Sequence, residues 1–383
     1  MQINSPASIR RVEEVDLLRG FALLGICVAN VPEMIGNGIS FIPSYSGVDA
    51  SIRLAIDLLV QTKFYTLFSF LFGLSFYLFM RRAEERGATG HRSMVRRLLL
   101  LLGIGLAHLI FIWYGDVLHL YAICGFALFL FYKRSPRTIL GFGIGLLGWS
   151  MLIYVLLKIL ALLLDPAEMM KPLFDAVPNL RGRLQFIMDY TAIELFIRAP
   201  EIIGLMLLGI YAGVRGWLEP GKLSTKLLRR WQWGSFAVTV LLSIPIVHSW
   251  WSSASYAPNL LSHYTYLSGK SLAIFYVCTL LLIFRRLGTR RFTALQSMGR
   301  MAFTVYLGQS IVTVLLLAVW PAMSEWTSLA TLVYSCLLLT IQLLLSELWL
   351  RRYTMGPLEW VWRAGTYGTI LPLKRRLMEG NGR

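Results

Sequence analysis

The 383 residues carry 37 Lys and Arg against 20 Asp and Glu, a net charge of +17, yet only 15% are charged, 56% are hydrophobic and the mean hydropathy is +0.62. A soluble domain carries about 25% charged residues, so this composition excludes one and describes an integral membrane protein of the all-α, polytopic helix-bundle class. The positive charge does not point to nucleic acid, because the basic residues lie in short loops and no nucleic-acid-binding motif accompanies them.

A bilayer-spanning helix needs about 20 mainly apolar residues. Ten such stretches are predicted: Asp16–Ile35, Leu54–Met80, Arg97–Tyr114, Asp116–Tyr132, Thr138–Leu164, Ala199–Trp217, Trp231–Trp251, Lys270–Phe284, Met301–Trp320 and Thr327–Leu350. Arg10 and Arg11 precede the first, and no small-residue cleavage site follows it, so a retained helix is expected rather than a signal peptide. The Lys and Arg positions test the number of passes. With the N-terminus inside, 29 of the 37 fall on inner segments, and only Arg53, Lys171, Arg181, Arg183 and Arg198 fall on outer ones. That bias fits the positive-inside rule when the number of helices is even and both termini are cytoplasmic.

The chain reads as one membrane domain, residues 1–383, with an N-terminal half over residues 1–134 and a C-terminal half over residues 190–375. The longest outer segment, Asp165–Arg198, contains Pro166, Pro172 and Pro178 and is expected to form an interfacial helix or a cap over the outer face. Cys27, Cys124, Cys278 and Cys336 form no CxxC pair, so neither a metal site nor a disulfide framework is indicated, and all four are expected to be buried packing residues.

The organising stretch is Leu98–Gly125, where two apolar runs meet at the short break Tyr114-Gly115-Asp116. His108, Trp113, Asp116, His119 and Tyr121 lie in and around that break. Ionisable groups at such depth are costly, about 2.5–3.5 kcal/mol for a central charge, and are usually retained for function. Converting position into depth puts Lys63, His108, Asp116 and His119 in the outer half of the bilayer, with Asn30, Glu33 and Glu201 also at that end and Gln309 near mid-depth. The expectation is one outer chamber shared by Lys63, His108 and Asp116, with Asp116, Glu33 or Glu201 as the partner of Lys63. An inner-face group comprises Asp16, Arg19, Arg300, Glu347, Arg351, Glu359 and Arg363. Asp16 and Arg19, at i and i+3, are spaced to pair, while Arg19 and Arg300 either snorkel to the interface or serve a site.

Several stretches together resemble the YeiB-like family of bacterial membrane proteins. They are Asp16-Leu17-Leu18-Arg19-Gly20 with Asn30, Lys63-Phe64-Tyr65-Thr66-Leu67-Phe68, His108 with Trp113-Tyr114-Gly115-Asp116, Gly299-Arg300-Met301-Ala302 with Tyr306 and Gln309, and Gly356-Pro357-Leu358-Glu359-Trp360-Val361-Trp362-Arg363. That family has been associated with transport. The opening helix is also remotely similar to the transmembrane acyltransferases, which include the acyltransferase-3 enzymes and heparan-α-glucosaminide N-acetyltransferase. This second resemblance implies transfer of an acyl group from a cytoplasmic acyl-coenzyme A to a cell-envelope acceptor at the outer face. The chain departs from both. Acyltransferase-3 enzymes place His about where Asn30 stands, and the heparan enzyme uses a His in the following segment. Here no His occurs between Val31 and Arg53.

The expected enzyme mechanism makes His108 the general base, oriented by Asp116, with Lys63 and Asn30 stabilising the oxyanion. Arg19, Asp16, Arg300, Gln309, Trp113, His119 and Tyr121 are the candidate binding residues. No glycine-rich phosphate loop is present, so coenzyme A is implied by the resemblance alone. No metal is expected. The partners are membrane lipids, and a homodimer is left open. In the competing reading the same groups serve a transporter or flippase, with Lys63 and Asp116 as a switchable ion pair and His108 as proton relay. In a third, the polar pairs only hold helices together.

Overall fold

The computed structural model describes residues 6–36, 44–85, 87, 90–163, 180–217, 219 and 222–375. Residues 164–179, where the first part of the expected outer cap falls, lie outside the described residues. The helices are α1 (Pro6–Met34), α2 (Gly47–Leu59), α3 (Lys63–Glu85), α4 (Gly90–Phe111), α5 (Leu118–Ala127), α6 (Pro136–Leu163), α7 (Leu180–Val214), α8 (Thr225–Ser252), α9 (Ser262–Leu287), α10 (Thr293–Arg300), α11 (Ala302–Val319), α12 (Ser328–Arg352) and α13 (Pro357–Tyr367).

Among the described residues nine segments are long and apolar enough to cross a bilayer, and α2 with α3 form one of them. The shorter apolar stretch Leu118–Leu130 carries the chain back between α4 and α6. The Tyr132 hydroxyl beyond it donates to Glu84 at the end of α3, 2.9 Å away. Leu118–Leu130 stands where the fourth expected pass was placed, and its thirteen residues cover about 20 Å at 1.5 Å each, short of a full span. Both ends of the described chain fall at one end of the bundle: Arg285 reaches Glu14 at 3.1 Å, and the Trp362 indole donates to Arg97 O at 3.0 Å. We call this the basic end.

Two sequence motifs have a packing explanation. A Cβ on Gly20 would meet the Leu295 carbonyl oxygen at 2.0 Å, and one on Gly299 would meet the Asp16 carbonyl oxygen at 1.8 Å. Only glycine lets α1 and α10 approach this closely, a device common where helices pack in lipid. Gly73 and Gly209 do the same between α3 and α7. Large apolar side chains remain exposed along α6, α8 and α12, including Leu152, Leu241 and Ile341. An apolar belt of this kind suits lipid as its solvent. Cys336 is exposed, unlike Cys27, Cys124 and Cys278, so it does not pack as expected.

Two of the helix boundaries that differ from expectation move a functional candidate. The second predicted helix is broken at 60–62, where Thr62 adopts φ 71°, so Lys63 begins α3 instead of lying two turns inside a helix. The eighth begins at Ser262 and not near Lys270, which places Lys270 within the span. Polar Ser, His and Thr residues lower the apparent hydropathy of its first two turns, where a serine hydroxyl still bonds locally: Ser268 Oγ donates to Thr265 O at 3.2 Å.

Candidate functional site

The break between α4 and α5 turns Asp116 inward. Its Oδ2 accepts the Leu118 backbone N–H at 2.8 Å, capping the start of α5, and its Oδ1 lies 3.0 Å from His108 Nδ1. Tyr306 on α11 donates to the same Oδ1 at 3.2 Å, and His119 Nδ1 stands 3.7 Å from Oδ2. The other ring nitrogen of His108 is 2.6 Å from Ser310 Oγ. Asp116, His108, His119 and Ser310 are all buried. The set is closed, with the carboxylate surrounded by protein groups and both His108 nitrogens against protein.

Lys63 does not join it. Its ammonium is fully buried and donates to the Asp57 backbone oxygen at 2.6 Å, in the last turn of α2. A cation at a helix C-terminus satisfies an orphan carbonyl and complements the helix dipole. The Asp57 carboxylate is held by Arg53 at 3.2 Å and by the Tyr256 hydroxyl at 2.8 Å. The expected partners of Lys63, namely Asp116, Glu33 and Glu201, are therefore replaced by Asp57. The shared chamber of Lys63, His108 and Asp116 is corrected in the same way: none of the three lines the main cavity. The reason is the two breaks, at 60–62 and 112–117, which rotate these side chains toward helix ends.

That cavity has a volume of about 1330 Å³ and runs between both ends of the bundle. Asp16 and Glu33, both on α1, line it, and their separation along the axis is about 25 Å at 1.5 Å per residue. At the basic end Arg19, Arg82, Arg97, Arg300 and Arg363 line it. Arg19 donates to Asp16 at 3.1 Å and to Ser75 Oγ at 2.6 Å, so the expected i, i+3 pair forms. Arg97 stacks 3.8 Å over the Trp362 ring, and Arg300 donates to Thr354 O at 3.0 Å. Burial holds the Arg300 guanidinium below its ordinary pKa; Asp16 pulls it up, while Arg375 and Arg363 add to the lowering. Like charges crowded around one mouth create a field that a multiply charged anion relieves.

The middle of the cavity is apolar, lined by Phe64, Phe68, Leu71, Phe72, Leu101 and Phe303. At the far end Asn30, Glu33, Arg53, Tyr65, Glu201 and Tyr266 line it. Glu201, next to Pro200 within α7, accepts the Tyr65 hydroxyl at 2.6 Å and Lys270 Nζ at 2.5 Å. Lys270 also stands 3.1 Å above the centre of the Tyr266 ring. Sequence reading placed Glu201 at this end but missed Lys270 and Asp57. Lys270 was hidden by the misplaced start of α9; the acidic residue in the amphipathic α2 gave a signal that went unused.

The remaining candidates divide. Trp113 and Tyr121 line the cavity. The Trp113 indole N–H meets no acceptor among the described residues, whereas the Tyr121 hydroxyl lies 2.6 Å from Ser69 Oγ. Gln309 donates to Gln342 of α12 at 3.1 Å, an interhelical bond away from the cavity. Glu359 caps α11, accepting Phe303 N at 2.7 Å and Thr304 N at 3.0 Å. Glu347 and Arg351 form an exposed pair at 3.0 Å. No group of His, Cys, Asp or Glu among the described residues is arranged to hold a metal ion.

Fold and site together define a multi-pass α-helical membrane protein built around an internal cavity with one strongly basic mouth. A family model described as a protein of unknown function (DUF418) matches residues 212–369. The uncharacterized protein YxaH of Bacillus subtilis strain 168 is 30% identical over 415 residues, spanning 96% of each chain. The uncharacterized protein YeiB of Escherichia coli K12 is 27% identical over 372 residues, spanning 91% of this chain and 94% of its own. The chain belongs to this YeiB-like, DUF418 family.

Proposed function

We propose that the protein transfers an acyl group from an acyl-coenzyme A donor, held at the arginine-lined mouth, to a cell-envelope acceptor in the chamber at the far end. The observation that carries this reading is the single cavity joining the two ends. Arg19, Arg97, Arg300 and Arg363 suit the donor's phosphates through charge-assisted hydrogen bonds. The apolar middle suits an extended arm, and about 25 Å separates Asp16 from Glu33 along α1, so the reactive carbonyl is presented among polar groups. The remote resemblance of the opening helix to the transmembrane acyltransferases points the same way. In this reading the basic end faces the cytoplasm of a bacterial inner membrane, in keeping with the distribution of Lys and Arg, and lipid covers the apolar belt. Tyr306, which lines the cavity and bonds Asp116, links the closed His108 set to the cavity wall.

The test is binding of acetyl-coenzyme A to the purified protein. Replacing Arg97 and Arg363 together by Ala is expected to weaken binding at least tenfold, since a hydrogen bond to a charged group contributes about 1.5–3 kcal/mol. Absence of binding by the wild type overturns the reading. The same cavity also favours, as a second reading, passage of an anionic solute. Counterflow of a labelled anion in proteoliposomes, with no thiol released from acetyl-coenzyme A, would select it.

A further inference from the structure

Three carboxylates line the far end of the cavity, and their surroundings separate them. Asp57 is held by Arg53 and Tyr256, and Glu201 by Lys270 and Tyr65. Glu33 differs. Its side chain is exposed to the cavity, and among the described residues it makes no hydrogen bond and no close ion pair. Among the described residues the charges that act on it are those of Arg198 and Arg53, at longer range. A carboxylate at the end of a helix otherwise set in apolar surroundings is expensive unless its function needs the lone pairs free. Asn30 lies one turn earlier on α1 and also lines the cavity. At i and i+3 the two side chains share one face of the helix, an acceptor and an amide donor side by side.

We propose that Glu33 is the general base of the transfer and that the Asn30 amide donates to the carbonyl oxygen; this rests on the acyl-transfer reading above. A base must reach the proton it takes and must not already be spent on another partner; Glu33 lines the cavity with its carboxylate uncommitted among the described residues, whereas His108 is buried off the cavity with Nε2 against Ser310. In the step, the acceptor's hydroxyl oxygen forms a bond to the thioester carbonyl carbon while Glu33 takes the hydroxyl proton. The carbonyl oxygen gains charge against Asn30. The tetrahedral intermediate collapses by breaking the carbon–sulfur bond, and the departing thiolate takes the proton from Glu33. The products are the ester and free thiol, and the carboxylate is restored. With water in place of the acceptor the same step gives a carboxylic acid and free thiol, which supplies an assay that needs no knowledge of the natural acceptor.

The experiment uses purified full-length protein with acetyl-coenzyme A, measuring binding and thiol release separately. Glu33→Gln is expected to bind the thioester like the wild type, to keep its melting temperature and to release thiol about 10²–10⁴-fold more slowly. Glu33→Asp, which keeps a carboxylate one methylene shorter, is expected to recover some of the rate. Asn30→Ala is expected to slow release with binding retained. Full thiol release by Glu33→Gln, or its loss in His108→Gln with Glu33→Gln active, overturns the assignment while leaving the acyl-transfer reading intact. A wild type that binds no thioester and releases no thiol overturns both.

Discussion

Two polar sets lie near the same end of this bundle and differ in what they face. Around Asp116 the carboxylate is answered by protein: His108, His119, Tyr306 and the start of α5 converge on it. Around Glu33 the carboxylate faces open cavity. Both sets look alike in one dimension, as ionisable residues within or beside apolar runs. In a low-dielectric interior a fully answered network rigidifies the helices that make it, while a half-answered one is costly unless a ligand completes it. The depth of a charge in the membrane therefore marks expense, and its open hydrogen-bonding valence marks use.

The comparison breaks first, if it is wrong, at Asp116. Asp116→Ala leaves His108, Tyr306 and the Leu118 N–H without their acceptor and is expected to cost about 3 kcal/mol. Thermal unfolding in detergent should show a drop of several degrees with loss of folded yield. An unchanged melting curve would mean that the set is wet and open. Gln309 tests the milder case of a closed pair. Gln309→Leu is expected to cost about 1 kcal/mol by stranding Gln342, and adding Gln342→Leu should restore most of it, because replacing both partners removes the unanswered group. Glu33→Gln should move the same melting curve least, by no more than about 0.5 kcal/mol, as expected of a substitution that breaks no contact among the described residues. A large shift there would place Glu33 among the structural groups and remove the contrast.

The multi-pass helical class, the clustering of basic residues at one end and the family itself were legible in the sequence, since each depends on composition summed over twenty or more residues. The Asp16–Arg19 pair was legible as well, because a three-residue spacing on a helix fixes a neighbour without any tertiary information. His108 and Asp116 were rightly linked to each other, the short break between their helices leaving them little distance to cross.

What the sequence did not determine is which polar residues meet the cavity. Lys63 lay in an unbroken apolar run by hydropathy, yet Thr62 interrupts the helix just before it and turns the ammonium onto the last turn of α2. The glycines of the two motifs around Gly20 and Gly299 carry part of the family resemblance, and what they serve is close backbone contact. Glu33 and Asn30 gain their setting from helices far along the chain, because a cavity is the space left among several packed elements and no single segment encodes it. Composition sets which stretches enter the bilayer; the rotation of each helix about its axis, fixed by breaks and close crossings, decides which of their few polar atoms face the space between them.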